Sequence, residues 1–97
     1  MNDAAKSALR DALNEAMTIK RFVSGLDFES YAADKRTRYA VERCFEMTPA
    51  ISEFRNIIGF RNILAHSYDH VDTKLVWGII ENDLEKLVGD LERLIGA

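Results

Sequence analysis

The sequence predicts an all-α, up-and-down bundle of four to five helices, and three observations carry that prediction. Apolar residues recur every three or four positions along both ends of the chain, the spacing that keeps one helix face apolar. Capping residues and a glycine fall where those runs begin and end. No segment alternates apolar and polar residues for long enough to propose a strand. With 97 residues the chain is read as one domain, 1–97, with room for a single core.

In the first element Ala5, Ala8, Leu9, Ala12, Leu13, Ala16, Ile19, Phe22 and Val23 form one stripe. Asn2 or Asp3 can cap its start, and Ser24-Gly25 supplies the left-handed position that ends it. A short second helix is expected from Asp27, whose carboxylate can accept from the free N–H of Glu29 or Ser30, to about Lys35. A third begins near Thr37 and carries Tyr39, Ala40, Val41, Cys44 and Phe45 as its apolar residues. Pro49 fits the first turn of a fourth helix capped by Thr48 and running from about Ala50 to Ala65. Ile51, Phe54, Ile58 and Ala65 mark one stripe of this helix, and Ile57, Phe60 and Leu64 a neighbouring one. A helix apolar around more than half its circumference is either central or at a subunit interface. Asp72 can cap a last long helix, along which Leu75, Val76, Ile79, Ile80, Leu84, Leu87, Val88, Leu91, Leu94 and Ile95 recur.

Composition narrows the functional classes. Hydrophobic residues make up 47% and charged residues 30%, a balance suited to a folded, soluble domain rather than a disordered one. The apolar runs are far short of the roughly 20 residues a membrane helix needs, so no membrane span is expected. The acid-bearing start does not resemble a secretory signal, and a cytoplasmic location is expected. Cys44 is the single cysteine, and its expected role is a buried small hydrophobe. The net charge of −3 opposes binding nucleic acid by overall positive charge. Its distribution is uneven, however. Residues 34–61 hold six bases against four acids, whereas residues 69–97 hold three against seven. Lys35, Arg36, Arg38, Arg43, Arg55 and Arg61 are therefore available to meet phosphates, and Arg36, Arg38, Arg43 and Arg55 are candidate RNA contacts.

The segment Arg61-Asn62-Ile63-Leu64-Ala65-His66-Ser67-Tyr68 ends an apolar helix in hydrogen-bonding side chains. A neutral His can take the proton from a ribose 2′-OH, and a guanidinium can hold the scissile phosphate, which is the chemistry of metal-independent RNA cleavage to a 2′,3′-cyclic phosphate. Asn62 can fix the tautomer of His66 or bind a sugar hydroxyl, and Tyr68 can donate to phosphate or stack on a base. On a straight helix Asn62 and His66 lie about 40° apart, whereas Arg61 and His66 lie about 140° apart. Joint action of Arg61 and His66 therefore needs either an unwound turn before His66 or a second copy across a two-fold axis.

This segment resembles the HepT-like branch of the HEPN domains, helical toxins encoded beside minimal nucleotidyltransferase antitoxins. The family motif is an Arg followed by a polar residue, three more residues, His, any residue and Tyr, matched here by Arg61, Asn62, His66 and Tyr68. The flanking text FRNIIGFRNILAHSYDHVD, the pattern Trp77-Asn82-Asp83-Leu84, and Phe28, Ala33, Asp34 and Tyr39-Ala40-Val41-Glu42-Arg43 extend the likeness over nearly the whole chain. The resemblance implies the toxin of a type VII-like toxin–antitoxin pair: a homodimeric endoribonuclease with Arg61 and His66 of both subunits in one cleft. It also implies that the cognate nucleotidyltransferase silences it by AMP modification of Tyr68, placing charge and bulk where the RNA phosphate should bind.

Two departures from the family pattern stand out. Its members continue the third helix with a Gly-Glu-Ala type segment and a longer loop, whereas here Met47 meets Thr48-Pro49 directly. Ser67 replaces a common Gly, which at a left-handed turn costs about 1 kcal/mol. The alternative function is a non-catalytic HEPN module that docks the nucleotidyltransferase; an unrelated helical adaptor is a third reading. A metal at His70, Asp69 and Asp72 is not expected, because helical spacing fails in a turn. Neither a metal nor a cofactor is expected, and the scattered glycines form no phosphate loop. Glu81, Asp83 and Glu85 fit a solvated helix face, while Trp77 and the Phe residues fit core or interface positions.

Overall fold

The computed structural model describes residues 3–49 and 72–96. Among them are five helices and no strand: α1 (Asp3–Val23), α2 (Phe28–Ala33), α3 (Lys35–Met47), α4 (Thr73–Asn82) and α5 (Leu84–Gly96). The all-α expectation holds. The expected helix over Ala50–Ala65 lies outside the described residues.

The long first helix lays Leu9, Ala12, Ala16 and Ile19 against the core, one residue per turn. It packs against α3 on one side and α5 on the other. Gly25 has φ 79, the left-handed position that the sequence assigns to it, and the turn closes through the Leu26 N–H donating to the Val23 carbonyl at 2.9 Å. Asp27 then caps α2 by accepting from the Ser30 N–H at 2.8 Å.

The boundary between α2 and α3 differs from the expected one. The second helix stops at Ala33 and the third starts at Lys35, so a single residue, Asp34, serves both. Its N–H donates to the Tyr31 carbonyl at 3.1 Å, while its carboxylate accepts from the Thr37 N–H at 3.1 Å and the Thr37 hydroxyl at 2.7 Å. Two short helices with such a link read in sequence like one blurred boundary, which is why Thr37 rather than Lys35 looked like the start.

At the far end of α3, Thr48 is the C-cap: its N–H donates to the Phe45 carbonyl at 3.2 Å, and the helix it is expected to cap lies outside the described residues. Its hydroxyl donates to the Cys44 carbonyl at 2.9 Å, which satisfies a buried polar side chain. The extended backbone of Thr48 also suits a residue preceding proline.

The C-terminal helix is interrupted at Asp83, where φ is −117. The sequence pattern runs straight through this point because the apolar spacing from Ile79 to Leu87 never breaks. Hydrogen bonding explains the continuity: Asp83 N–H donates to Ile79 and Leu87 N–H to Asp83, at 2.9 and 3.0 Å. Asp72 caps α4 as expected, accepting from the Lys74 and Leu75 N–H groups.

The core joins Tyr31 of α2, Val41, Cys44 and Phe45 of α3, Val76, Trp77 and Ile80 of α4 and Leu84, Leu87, Val88 and Leu91 of α5 to the α1 stripe. Trp77 is buried, with its ring centroid 5.1 Å from that of Tyr31 and 6.5 Å from that of Phe28. Three residues placed in apolar stripes by sequence are instead exposed: Phe22, Tyr39 and Leu75. Glu81, Asp83 and Glu85 are solvated as expected, and Glu85 pairs with Lys20 of α1 at 3.1 Å. No helix among the described residues is long and apolar enough to cross a membrane.

Candidate functional site

The motif residues Arg61, Asn62, His66 and Tyr68, and the candidate RNA contact Arg55, lie outside the described residues. Asp69 and His70, the other two members of the rejected metal trio, lie there too. Among the described residues no group of three or more His, Cys, Asp or Glu side chains is placed to hold a metal ion.

The described part of the basic region is α3, and its helical register sorts its cations. At about 100° per residue, Val41, Cys44 and Phe45 share the inner face, while Arg36, Tyr39 and Arg43 fall within about 60° of one another on the opposite one. Burial agrees with that register. Val41, Cys44 and Phe45 are buried, and Lys35, Arg36, Tyr39, Arg43, Glu46 and Met47 are all exposed. Lys35 Nζ lies 5.4 Å from the centre of the Tyr39 ring, a cation–π contact. Arg43 reaches Glu46 at 3.5 Å.

Arg38 lies on the flank between these faces, half-buried, and its Nε is a buried donor without a hydrogen-bond partner among the described residues. Nearby, the fully buried Tyr31 hydroxyl is also unpartnered among the described residues. Burial pushes the Tyr31 phenol up to about 12, with the negative charge of Glu42 adding to the rise and Arg38 opposing it. Burial likewise raises the Glu42 carboxyl against the lowering pull of Arg38. On the inner face, burial raises the Cys44 thiol, and Glu15 adds to that effect. A raised, buried thiol is a poor nucleophile, in keeping with the structural role expected of it.

The start of α3 is electrostatically unusual. Its first turn carries no acid, and Lys35, Arg36 and Arg38 stand where the helix dipole favours anions. Asp34 opposes this locally, and its hydrogen bonds from Thr37 hold its carboxyl below the usual range. Helix stability alone does not account for cations at this end. The sequence marks Arg36, Arg38 and Arg43 as candidate RNA contacts and groups Tyr39 with the apolar residues of the third helix. The helical angle was the signal that could have assigned Tyr39 to the basic face.

Comparison with known proteins places this framework in a family. The family model described as "Ribonuclease HepT-like" matches residues 48–94. The chain is 30% identical to "Putative RNase MJ1380" of Methanocaldococcus jannaschii, over 90% of this chain and 93% of that protein. It is 27% identical to "Probable ribonuclease HepT" of Thermococcus cleftensis, over 97% and 98% of the two chains. No solved structure matches. The stretch aligned with the first relative is 101 residues long yet holds only nine-tenths of a 97-residue chain, so that relative carries residues inside the match that this chain lacks. The family match begins at Thr48, next to the departure seen at Met47-Thr48 in the sequence.

Proposed function

The chain belongs to the HepT-like ribonuclease family of HEPN domains, and on that premise we propose that it is a metal-independent endoribonuclease, the toxin of a type VII-like toxin–antitoxin pair. The observation that carries this reading is that the one segment suited to RNA cleavage, Arg61 to Tyr68, falls inside the stretch 48–94 that matches the family.

In the proposed reaction His66, as a neutral imidazole, takes the proton from a ribose 2′-OH. The 2′-oxygen attacks the adjacent phosphorus, the bond to the 5′-oxygen breaks, and that oxygen leaves as a hydroxyl by taking a proton from water, while His66 returns its proton to solvent. The products are a 2′,3′-cyclic phosphate and a 5′-hydroxyl. Arg61 holds the phosphate and offsets charge developing on its equatorial oxygens. Asn62 orients His66 or a sugar hydroxyl. The angle of about 140° between Arg61 and His66 on a straight helix argues for a homodimer in which each copy completes the other's cleft.

Control comes from a cognate minimal nucleotidyltransferase that adds AMP to Tyr68. The adduct brings a negative charge beside the position of the scissile phosphate and so opposes RNA binding. The reaction needs no cofactor and takes place in the cytoplasm.

Incubation with ATP and the neighbouring nucleotidyltransferase tests the control step. Intact mass should rise by whole AMP units in the wild type and stay unchanged in Tyr68→Phe; a label on Ser67 or Tyr39 would overturn the assignment. For the reaction itself, Arg61→Ala and His66→Ala should each abolish RNA cleavage. A protein that is labelled and dimeric but cuts no RNA under any condition would instead be a docking module.

A further inference from the structure

We propose that the outward face of α3, formed by Arg36, Tyr39 and Arg43 with Lys35 beside them, is a docking subsite for single-stranded RNA. A base stacks on the Tyr39 ring and the flanking phosphates meet the two guanidinium groups. The inference rests on the ribonuclease reading above and names how the substrate is held away from the bond that is cut.

Four observations lead to it. Tyr39 is 57% exposed, the most exposed of the large hydrophobic side chains among the described residues. Core packing therefore gives no reason for an aromatic ring there. The Lys35 ammonium lies over one face of the ring, 5.4 Å from its centre, which sets a cation beside the aromatic surface. Arg36 and Arg43 lie one turn on either side of Tyr39, about 10 Å apart along the axis at 1.5 Å per residue. That span leaves room for one base on the ring with a phosphate toward each end. Among the described residues Arg43 pairs with Glu46, at 3.5 Å and with the two side chains 70% and 40% exposed, a pair weak enough for a phosphate to replace.

Charge supplies the choice of partner. The chain as a whole is negative, and its last third strongly so, so RNA is repelled from most of the molecule. Lys35 and Arg36 of this face stand at the helix end where the dipole disfavours cations. An aromatic ring between cations is the pairing by which proteins hold single strands with little regard to sequence: stacking on the base, ionic contact with the backbone. Arg38 is not part of this subsite, since it is half-buried on the flank toward Tyr31 and Glu42.

The test is fluorescence anisotropy with a labelled ten-nucleotide single-stranded RNA of mixed sequence, between 50 and 200 mM salt. All proteins carry His66→Ala so that the probe stays intact. In that background Tyr39→Ala should weaken binding on the order of tenfold, and Tyr39→Phe, which keeps the ring, should bind like the parent. The double variant Arg36→Gln, Arg43→Gln should flatten the slope of log K against log salt by about 1.4, roughly 0.7 for each lost phosphate contact. Circular dichroism should be unchanged in every variant, since the substituted side chains point into water.

Wild-type RNA cleavage scores the underlying reading separately. Tyr39-dependent binding without cleavage keeps the subsite and overturns the ribonuclease. Cleavage together with unaltered binding by Tyr39→Ala, or an unaltered salt slope in the double variant, overturns the subsite. So does a result in which the same variants lose only capture of the nucleotidyltransferase, because the face then serves a protein partner.

Discussion

Replacing Tyr31 by Phe should stabilise this protein, an unusual direction for a substitution in a core. The phenol is fully buried and its hydroxyl has no hydrogen-bond partner among the described residues. Leaving a buried donor unpaired costs about 1–3 kcal/mol. Removing the hydroxyl lifts that cost, while the ring contact with Trp77, 5.1 Å between centroids, is retained. The expected gain is about 1 kcal/mol, at the lower end of that range because the vacated space is not refilled. For a domain of this size that raises Tm by about 4–8 °C. The assay is thermal unfolding followed by circular dichroism at fixed protein concentration, since the homodimer proposed above would make Tm depend on concentration.

A second readout comes from alkaline pH. The folded phenol is raised from 10.0 to about 12, so the folded state holds its proton more tightly than the unfolded state does. The stability this contributes is complete below pH 10 and is lost as pH rises from about 10 to about 12. Tyr31→Phe should lack that decline. A fall in Tm of several degrees in Tyr31→Phe at pH 7 would refute the reasoning, because it would mean that the hydroxyl is making a stabilising hydrogen bond.

Other consequences are simpler to check. Asp34→Ala should lower Tm at neutral pH, because one carboxylate holds two donors of Thr37. The folded carboxyl is held below 3.8, so this stabilisation is present above that pH and fades as the carboxylate is protonated. The gap between wild type and Asp34→Ala in a pH series of melts should close toward pH 2. Cys44 should resist alkylation by iodoacetamide at pH 8 in the folded protein and react at once in denaturant, as burial both hides the thiol and raises its pKa. Rapid labelling without denaturant would show that α1 and α3 open locally.

Much of the scaffold is legible in the sequence because its signals are local. Asp27, Gly25 and Asp72 do what their residue types suggest, since each caps or turns the chain through hydrogen bonds and dihedrals within a few residues. The stripe from Leu9 to Ile19 is legible because helical spacing alone sets which residues face inward. Other features depend on information that spacing does not carry. Asp34 ends one helix while starting the next, and nothing in a hydrophobic pattern marks so short a link. Asp83 interrupts the last helix in dihedral angle while the apolar spacing continues, so the pattern shows no break.

Phe22, Tyr39 and Leu75 are apolar by type yet exposed. For Tyr39 the helical register does predict it, because the angle sets the ring with Arg36 and Arg43. Side-chain chemistry alone placed it with Val41. The segment Arg61 to Tyr68 was legible as a motif and as a suitable set of functional groups. Whether Arg61 and His66 share a cleft depends on tertiary or quaternary placement, which residue spacing constrains only by showing that one straight helix does not bring them together.

The central claim, metal-independent cleavage by Arg61 and His66, is tested most directly by product-end analysis of RNA digested in excess EDTA. The account predicts that wild-type protein leaves 2′,3′-cyclic phosphate and 5′-hydroxyl ends, and that His66→Ala leaves the RNA intact. Cleavage abolished by EDTA, 5′-phosphate ends, or cutting that survives in His66→Ala would contradict it.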